Sequence, residues 1–565
     1  MPEIIAKECR FALHIPAKYP DRQDAHLIKE RVHFSDGTSA PMLRLLKNYK
    51  RPFWITKPSA RTHTQKKEWE HLDNLIPYEC TQSELSLRVA QALGEPNTHL
   101  KKLLASPYVY GADITSTTHI KKEYADRYPD KRTPYSVAAF DIETHVENGH
   151  TEIVIATIAM GDYIYSACVK SLFKDVKDRE AALKAAYAEH LPDYQHYRIE
   201  VDYVNNELEV IQKVFKVAHQ LRPDFLAIWN MNYDIPRILE MLKRYRVAPE
   251  TIFCDPNLPP EYRYCHYRPG KQKRVTADGR VKPIGVAAQW HTLYASASFY
   301  VIDAMCVYRL LRLSKQELPN YKLDTVLRKE KIPSKLKFEV ANHVTGLRWH
   351  HYMQEHYPIE YLVYNHYDCL SMLELDAKTK DLCLTLPEFA GYTDFYKFDS
   401  QPKRITDALY FHLLPQGYVL ASAGYTEVKT DHGEDYALDR EDEEEELNTL
   451  NLKGWIITLP AEYQVEGLPV LKNAPEIRTN IRAMVYDSDA VAAYPTCIKV
   501  LSVSKETTVR ELIDISGIPE ELFRMQNINL MAGAVNAIEY CTTLFKLPTP
   551  DELVARYQAT QKNKA

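Results

Sequence analysis

No stretch of this chain approaches the roughly 18–20 uninterrupted apolar residues that a membrane-spanning helix needs, so no membrane association is expected. The first twenty residues, MPEIIAKECRFALHIPAKYP, are broken by charges and lack the apolar core of a secretory signal. The ten cysteines show no paired spacing, which fits reduced thiols in a cytoplasm and not a disulfide scaffold or a zinc site. A basic excess is missing as well. The formal net charge of −5 argues against a protein that coats nucleic acid by charge alone, yet leaves room for an enzyme with a local basic groove. Internal repeats are absent, and low complexity is confined to Asp439–Glu446 (DREDEEEE), an acidic run expected to form a solvated loop.

What is present suits a soluble globular chain: 565 residues, 45% hydrophobic and 26% charged, enough for about three or four domains. Basic clusters occur at Lys271, Lys273, Arg274, Arg280 and Lys282, and at Arg328, Lys329, Lys331, Lys335 and Lys337; a solvated surface explains either one as well as a groove does. From about Tyr135 the patterning sharpens. Val137 to Phe140 and Glu152 to Met160 read as strands with a Gly161-Asp162 turn after the second. Asn206 and Glu209 resemble a capping box ahead of Leu208, Ile211, Phe215 and Ala218 at helical spacing. Phe225 to Trp229 reads as a central strand, and Pro236 as a first-turn proline of the helix that follows. Strands alternating with helices imply a layered α/β domain from about 131 to 375.

Four short segments carry the chemistry: FDIET at 140–144, WNMNYDIP at 229–236, YNHYD at 364–368 and DAVAAYP at 489–495. Asp141 and Glu143, two apart on a predicted strand, share a face. Asp234 falls at a helix start, and Tyr364 and Asp368, four apart on a predicted helix, share a face too. Each piece alone is ordinary: a salt-bridged strand edge, a helix cap, a common helical spacing. Together they supply hard oxygen donors for two Mg²⁺ or Mn²⁺ ions per site, the arrangement that activates water and neutralises charge in phosphodiester cleavage.

In this order the segments resemble family B DNA polymerases, particularly those of T-even-like phages. The resemblance implies α/β and α+β multidomain architecture: an N-terminal domain at 1–130, against which 376–400 is a candidate to pack, an RNase H-like 3′→5′ exonuclease domain at 131–375, and a partial polymerase palm at 376–565. It further implies that Asp141, Glu143, Asp234, Tyr364 and Asp368 are catalytic, all but the tyrosine as metal ligands. Residues 299–308 (FYVIDAMCVY), Leu318-Pro319 and Tyr321-Lys322-Leu323 extend the likeness, and 271–286, with its Asp278-Gly279 turn, resembles the family's strand-separating hairpin.

The fourth segment resembles the first palm motif, in which Asp489 binds both metals and Tyr494 packs under the incoming sugar. Ala490, Ala492 and Ala493 offer backbone to the triphosphate. There are departures: Ala493 stands where the family has Leu, Thr496 where it has Ser, and Asp487 adds an acid. Only 76 residues follow Asp489, without the family's lysine-bearing helix or Asp-Thr-Asp pair. The expectation is therefore a proofreading subunit of a split polymerase in a phage-infected bacterial cytoplasm. Its partners would be primer-template DNA, single-stranded 3′ ends, dNTP and a second polypeptide carrying the rest of the palm, fingers and thumb, with a sliding clamp a further candidate. The alternatives are a stand-alone 3′→5′ exonuclease with a vestigial palm, or a non-catalytic primer-template binding subunit.

Overall fold

The computed structural model describes residues 2–422, apart from 19–21, 65, 130, 148–149, 276–280 and 313–317. Asp489, Ala490, Ala492, Ala493 and Tyr494, the acidic run at 439–446 and the Asp278-Gly279 turn lie outside the described residues. Two compact units form. One comprises Met1–Trp54, Pro77–Leu103 and Gly111–Gln416; the other comprises Ile55–Ile76, Leu104–Tyr110 and the chain from Gly417. Within the second unit, Trp69–His71 pairs antiparallel with Tyr418–Leu420.

The first unit begins with a three-stranded antiparallel sheet, β1 (Ile4–Ile15), β2 (Ala25–Phe34) and β3 (Ser39–Lys47), with β2 central. Helix α1 (Ser116–Arg127) packs on β1 and starts at Thr115, whose hydroxyl accepts the Thr118 N–H. Residues just past 380 return to this helix: Lys121 Nζ donates to the Thr393 carbonyl (2.9 Å) and pairs with Asp394 (3.1 Å).

A six-stranded sheet follows. Its strands are β4 (Val137–Glu147), β5 (His150–Met160), β6 (Tyr163–Val169), β7 (Arg198–Val204), β8 (Phe225–Ile228) and β9 (Tyr300–Asp303), in the spatial order β7-β6-β5-β4-β8-β9. The β4-β5-β6 meander is antiparallel, whereas β7, β8 and β9 join parallel to their neighbours. Connections between parallel strands require crossovers, and helices supply them. These are α2 (Arg179–His190), α3 (Glu207–Leu221) and α4 (Met231–Tyr245); after the last strand come α5 (Ala304–Leu310), α6 (Leu323–Lys329), α7 (Leu347–His356) and α8 (Pro358–Thr379).

Each face of the sheet is covered. Val210, Ile211, Phe215, Ile235, Ile238 and Met241 of α3 and α4 fill one side. Leu362, Val363, Cys369 and Leu370 of α8, with Leu183 and Tyr187 of α2, fill the other. Helix α8 is pinned by buried His366, which hydrogen-bonds Ser166 of β6 and Tyr187 of α2, both at 2.7 Å. Burial keeps this imidazole neutral, its pKa lowered to about 3.

The expected capping box appears in altered form: Asn206 Oδ1 accepts the Glu209 N–H (3.0 Å), while Glu209 reaches back to the N–H of Asn205. Strand β4 runs past the apolar Val137–Phe140 core to Glu147, because the β5 hairpin pairs its polar half as well. Pro236 is placed differently from the expectation. The helix begins at Met231, so the proline sits in its second turn and deprives Asn232 of a hydrogen-bond donor. The eight cysteines among the described residues are free thiols, and no described helix is long and apolar enough to cross a membrane.

Candidate active site

Alternation along β4 places Ala139, Asp141 and Glu143 on the side covered by α8, with Phe140 and Ile142 on the other. Just after Glu143 the pairing with β5 skips one residue, Glu143 opposing Ile155 and Thr144 opposing Ile153. Such a bulge re-aims side chains beside it. Facing β4, Tyr361, Asn365 and Asp368 recur at four- and three-residue spacing on one stripe of α8. Tyr361 donates its hydroxyl proton to Glu143 Oε2 (2.5 Å), and Asn365 Nδ2 donates to Asp141 Oδ2 (2.7 Å). One carboxylate oxygen from each of Asp141, Glu143 and Asp368 then falls within 4.8 Å of the other two.

Asp234 reaches the cluster from the opposite face. Strand β8 pairs with β4 only through Ala139 and ends at Ile228. Beyond it the β4 edge is open, and the Ile142 backbone hydrogen-bonds the Asp234 carboxylate. Helix α4 is positioned by Asp303 at the end of β9. Its Oδ2 accepts the Met231 N–H (3.1 Å), and its Oδ1 caps α5 through the Cys306 N–H (2.9 Å). One buried carboxylate thus joins two helix starts, the geometry that the N-terminal end of a helix favours.

Lys335, on the stretch between α6 and α7, belongs to the basic cluster for which the sequence leaves surface and groove equally open. Its Nζ donates to Asp368 Oδ2 (2.5 Å) and to the Tyr364 hydroxyl oxygen (3.1 Å). Asp303, Asn365 and Tyr361 were likewise not singled out. Asn365 and Asp303 lay inside quoted segments, and Tyr361 stands one turn before Tyr364, but nothing local to Lys335 distinguishes it from its basic neighbours.

A cleft of about 1340 Å³ opens over these groups; Asp141, Asp234, Tyr364 and Asp368 line it with Lys335 and with Arg274 of the 273–283 hairpin. The electrostatics are those of crowded acids. Burial raises Asp141 well above the usual carboxylate range, and Asp234, Asp368 and Glu143 push it further. Burial also lifts Asp234 to about 8 and Asp368 to about 6, the latter despite the Lys335 ammonium. Lys335 is itself held protonated, its desolvation outweighed by Asp368, Tyr364 and Asp141.

Such a cluster fits a hard divalent cation. The donors are carboxylate oxygens, the negative charge exceeds what one lysine balances, and buried Asp368 Oδ1 has no hydrogen-bond partner. Sequence comparison agrees in kind.

Residues 111–326 match the family model of the DNA polymerase family B exonuclease domain. No curated protein matches the chain. The sheet and its helices are the mixed α/β, RNase H-like fold of that exonuclease domain, within a multidomain chain. The match supports a nuclease acting on DNA with divalent metal. It contains Asp141, Glu143, Asp234 and Asp303 and stops before Lys335, Tyr364 and Asp368. Those three join the exonuclease-domain residues through the contacts above. Two hairpin arms, Lys273–Val275 and Val281–Pro283, pair antiparallel inside the matched region.

Proposed function

We propose that residues 131–375 form the catalytic unit of a 3′→5′ exodeoxyribonuclease that removes nucleotides from single-stranded or frayed DNA ends. The observation that carries this reading is the gathering of Asp141, Glu143 and Asp368 donor oxygens within 4.8 Å, with Asp141 and Asp368 lining a cleft. In the proposal Asp141, Glu143, Asp234 and Asp368 hold two Mg²⁺ or Mn²⁺ ions. Bound there, such ions lower the pKa of water and neutralise charge at the scissile phosphate. Tyr364 orients the attacking water through its hydroxyl, and Lys335 fixes that hydroxyl and Asp368 by donating to both. Asn365 and Tyr361 hold Asp141 and Glu143 in place, so that the ligand set is pre-organised.

The remaining part of the reading rests on the 484–498 segment. Asp489 would contribute one metal ligand, and Ala490, Ala492, Ala493 and Tyr494 the nucleotide contacts, of a DNA synthesis site. A second polypeptide would complete that site, in the cytoplasm of a phage-infected cell and with or without a sliding clamp. Primer extension separates the parts. The chain alone is expected to digest primer ends in Mg²⁺ without extending them, and to extend on addition of the partner. Asp489→Ala should remove extension and spare digestion; Asp141→Ala with Glu143→Ala should do the reverse. Digestion without extension under every pairing would leave a stand-alone exonuclease. Absence of digestion by the wild-type chain would leave only primer-template binding and defeat the proposal.

A further inference from the structure

Residues 1–130 carry no motif legible in sequence, yet β1 and β2 assemble a second group of metal-competent donors far from the acidic cleft in sequence. His14 on β1 and His26 on β2 are direct partners in the antiparallel register, so their side chains leave the same face of the sheet. Asp24 lies two residues before His26, just ahead of the strand, and brings its carboxylate to the same group. One donor atom from each of the three falls within 4.8 Å of the other two. His14 Nε2 approaches Asp24 Oδ2 at 2.9 Å, and the two imidazole centroids are 5.1 Å apart.

The second observation is what these groups lack. His26 is fully buried and Asp24 is 3% exposed, and His26 Nδ1 and Asp24 Oδ1 have no hydrogen-bond partner. Leaving a buried polar atom unsatisfied is costly, more so when charged, so two within one cluster call for a ligand that accepts lone pairs from both. Their remaining atoms are anchored from outside. Ser116 Oγ meets His26 Nε2 at 2.6 Å, and the Ser83 N–H donates to Asp24 Oδ2 at 2.8 Å. If the Nε2 proton goes to Ser116, His26 Nδ1 keeps a free lone pair for a ligand, the usual way an outer hydrogen bond fixes a ligating imidazole.

We propose that His14, Asp24 and His26 bind a divalent transition-metal ion of the zinc class. Two imidazoles and one carboxylate are borderline donors that suit Zn²⁺ and leave a fourth position for water, whereas Mg²⁺ selects all-oxygen sites. An ion about 2.0–2.1 Å from each donor needs them no more than about 4 Å apart, so binding needs at most a small closing of the cluster. The ion ties β1 to β2 and, through Ser83 and Ser116, to the chain before α1 and to its first turn. The donors are not cysteines, which is why cysteine spacing gives no sign of the site.

The test uses the full chain carrying Asp141→Ala and Glu143→Ala, so that metal in the acidic cleft does not contribute. The chelated protein is dialysed against Zn²⁺, and bound metal is counted; Co²⁺ in its place reports ligand geometry by visible absorption. One tightly held equivalent is expected, lost in both His14→Gln and Asp24→Asn, and held about tenfold more weakly in Ser116→Ala. His14→Gln is the informative variant, because His14 is 22% exposed and its replacement leaves the sheet core intact. In the otherwise wild-type chain, His14→Gln is expected to keep Mg²⁺-dependent digestion unchanged while abolishing the rise in thermal stability caused by Zn²⁺. Zinc retained equally by His14→Gln and Asp24→Asn, or none held by the parent, would overturn the proposal.

Discussion

Asp234 and Asp368 carry pKa values raised from 3.8 to about 8 and about 6, and Asp141 is raised as well, in each case first by burial. A carboxylic acid with a folded pKa above its unfolded value makes the native state bind more protons. Stability from these groups is therefore present below about pH 4 and is lost as pH rises through about 6 to 8. In chelator, the unfolding temperature is expected to fall across that window. Added Mg²⁺ should restore it, by an increment that grows with pH because the cation replaces the lost protons. Asp141→Asn removes one repelling charge and should flatten both dependences while slowing digestion by roughly 10²–10³-fold, the scale of losing one pre-organised electrostatic group. Scanning fluorimetry over pH, with and without Mg²⁺, reads the first effect. An increment independent of pH would show that the acids do not carry the linkage.

Elements place these residues, and two of them can be tested separately. Asp303 accepts from the first turns of both α4 and α5. Asp303→Ala is expected to lose about 2 kcal/mol of stability and, by releasing α4, to reduce digestion through Asp234. Asp303→Asn keeps one acceptor oxygen and should lose less of both. Urea unfolding beside initial rates measures them; an Ala variant with unchanged rate would remove Asp303 from the positioning of α4. The hairpin of Lys273–Val275 and Val281–Pro283 is thin, with Lys273, Arg274 and Val281–Pro283 exposed and Arg274 reaching the cleft. Deleting Lys273 to Lys282 is expected to spare digestion of single strands and impair attack on duplex ends. Equal loss on both substrates would defeat a strand-separating role. The strand core at Val137–Phe140 was legible from its apolar run, but its polar continuation to Glu147 depends on a partner strand. Pro236 read as a first-turn residue because the Met231 start is set by Asp303, which is 72 residues away.

At the scale of the whole first unit, the N-terminal sheet and the exonuclease layers are joined by buried charge. Asp224 is fully buried and accepts from Ser136 and Arg31, with Arg10 Nε at 3.6 Å. Lys29, also fully buried, donates to the carbonyls of Arg222, Pro223 and Ser298. A buried charge tolerates this environment only when paired, and removing one partner typically costs about 3–5 kcal/mol. Asp224→Ala should therefore destabilise the first unit by about that amount, read as a lowered urea midpoint. A change under about 1 kcal/mol would mean that the joint is held by packing alone. The exonuclease-family match begins at residue 111, inside the segment that leads into α1, which accords with these layers belonging to one compact unit.

The sequence by itself determined the alternating strands and helices and the faces on which Asp141 with Glu143, and Tyr364 with Asp368, would lie. Those are periods of two and of about 3.6 residues, properties of a single element that need no partner. Tertiary structure alone decided that Lys335 leaves its basic cluster to pair with Asp368, that Asp303 governs α4, and that His14 meets His26 across a strand register. Such pairs are separated by tens of residues, and only the burial of both sheet faces fixes the register and crossovers that bring them within a few ångströms.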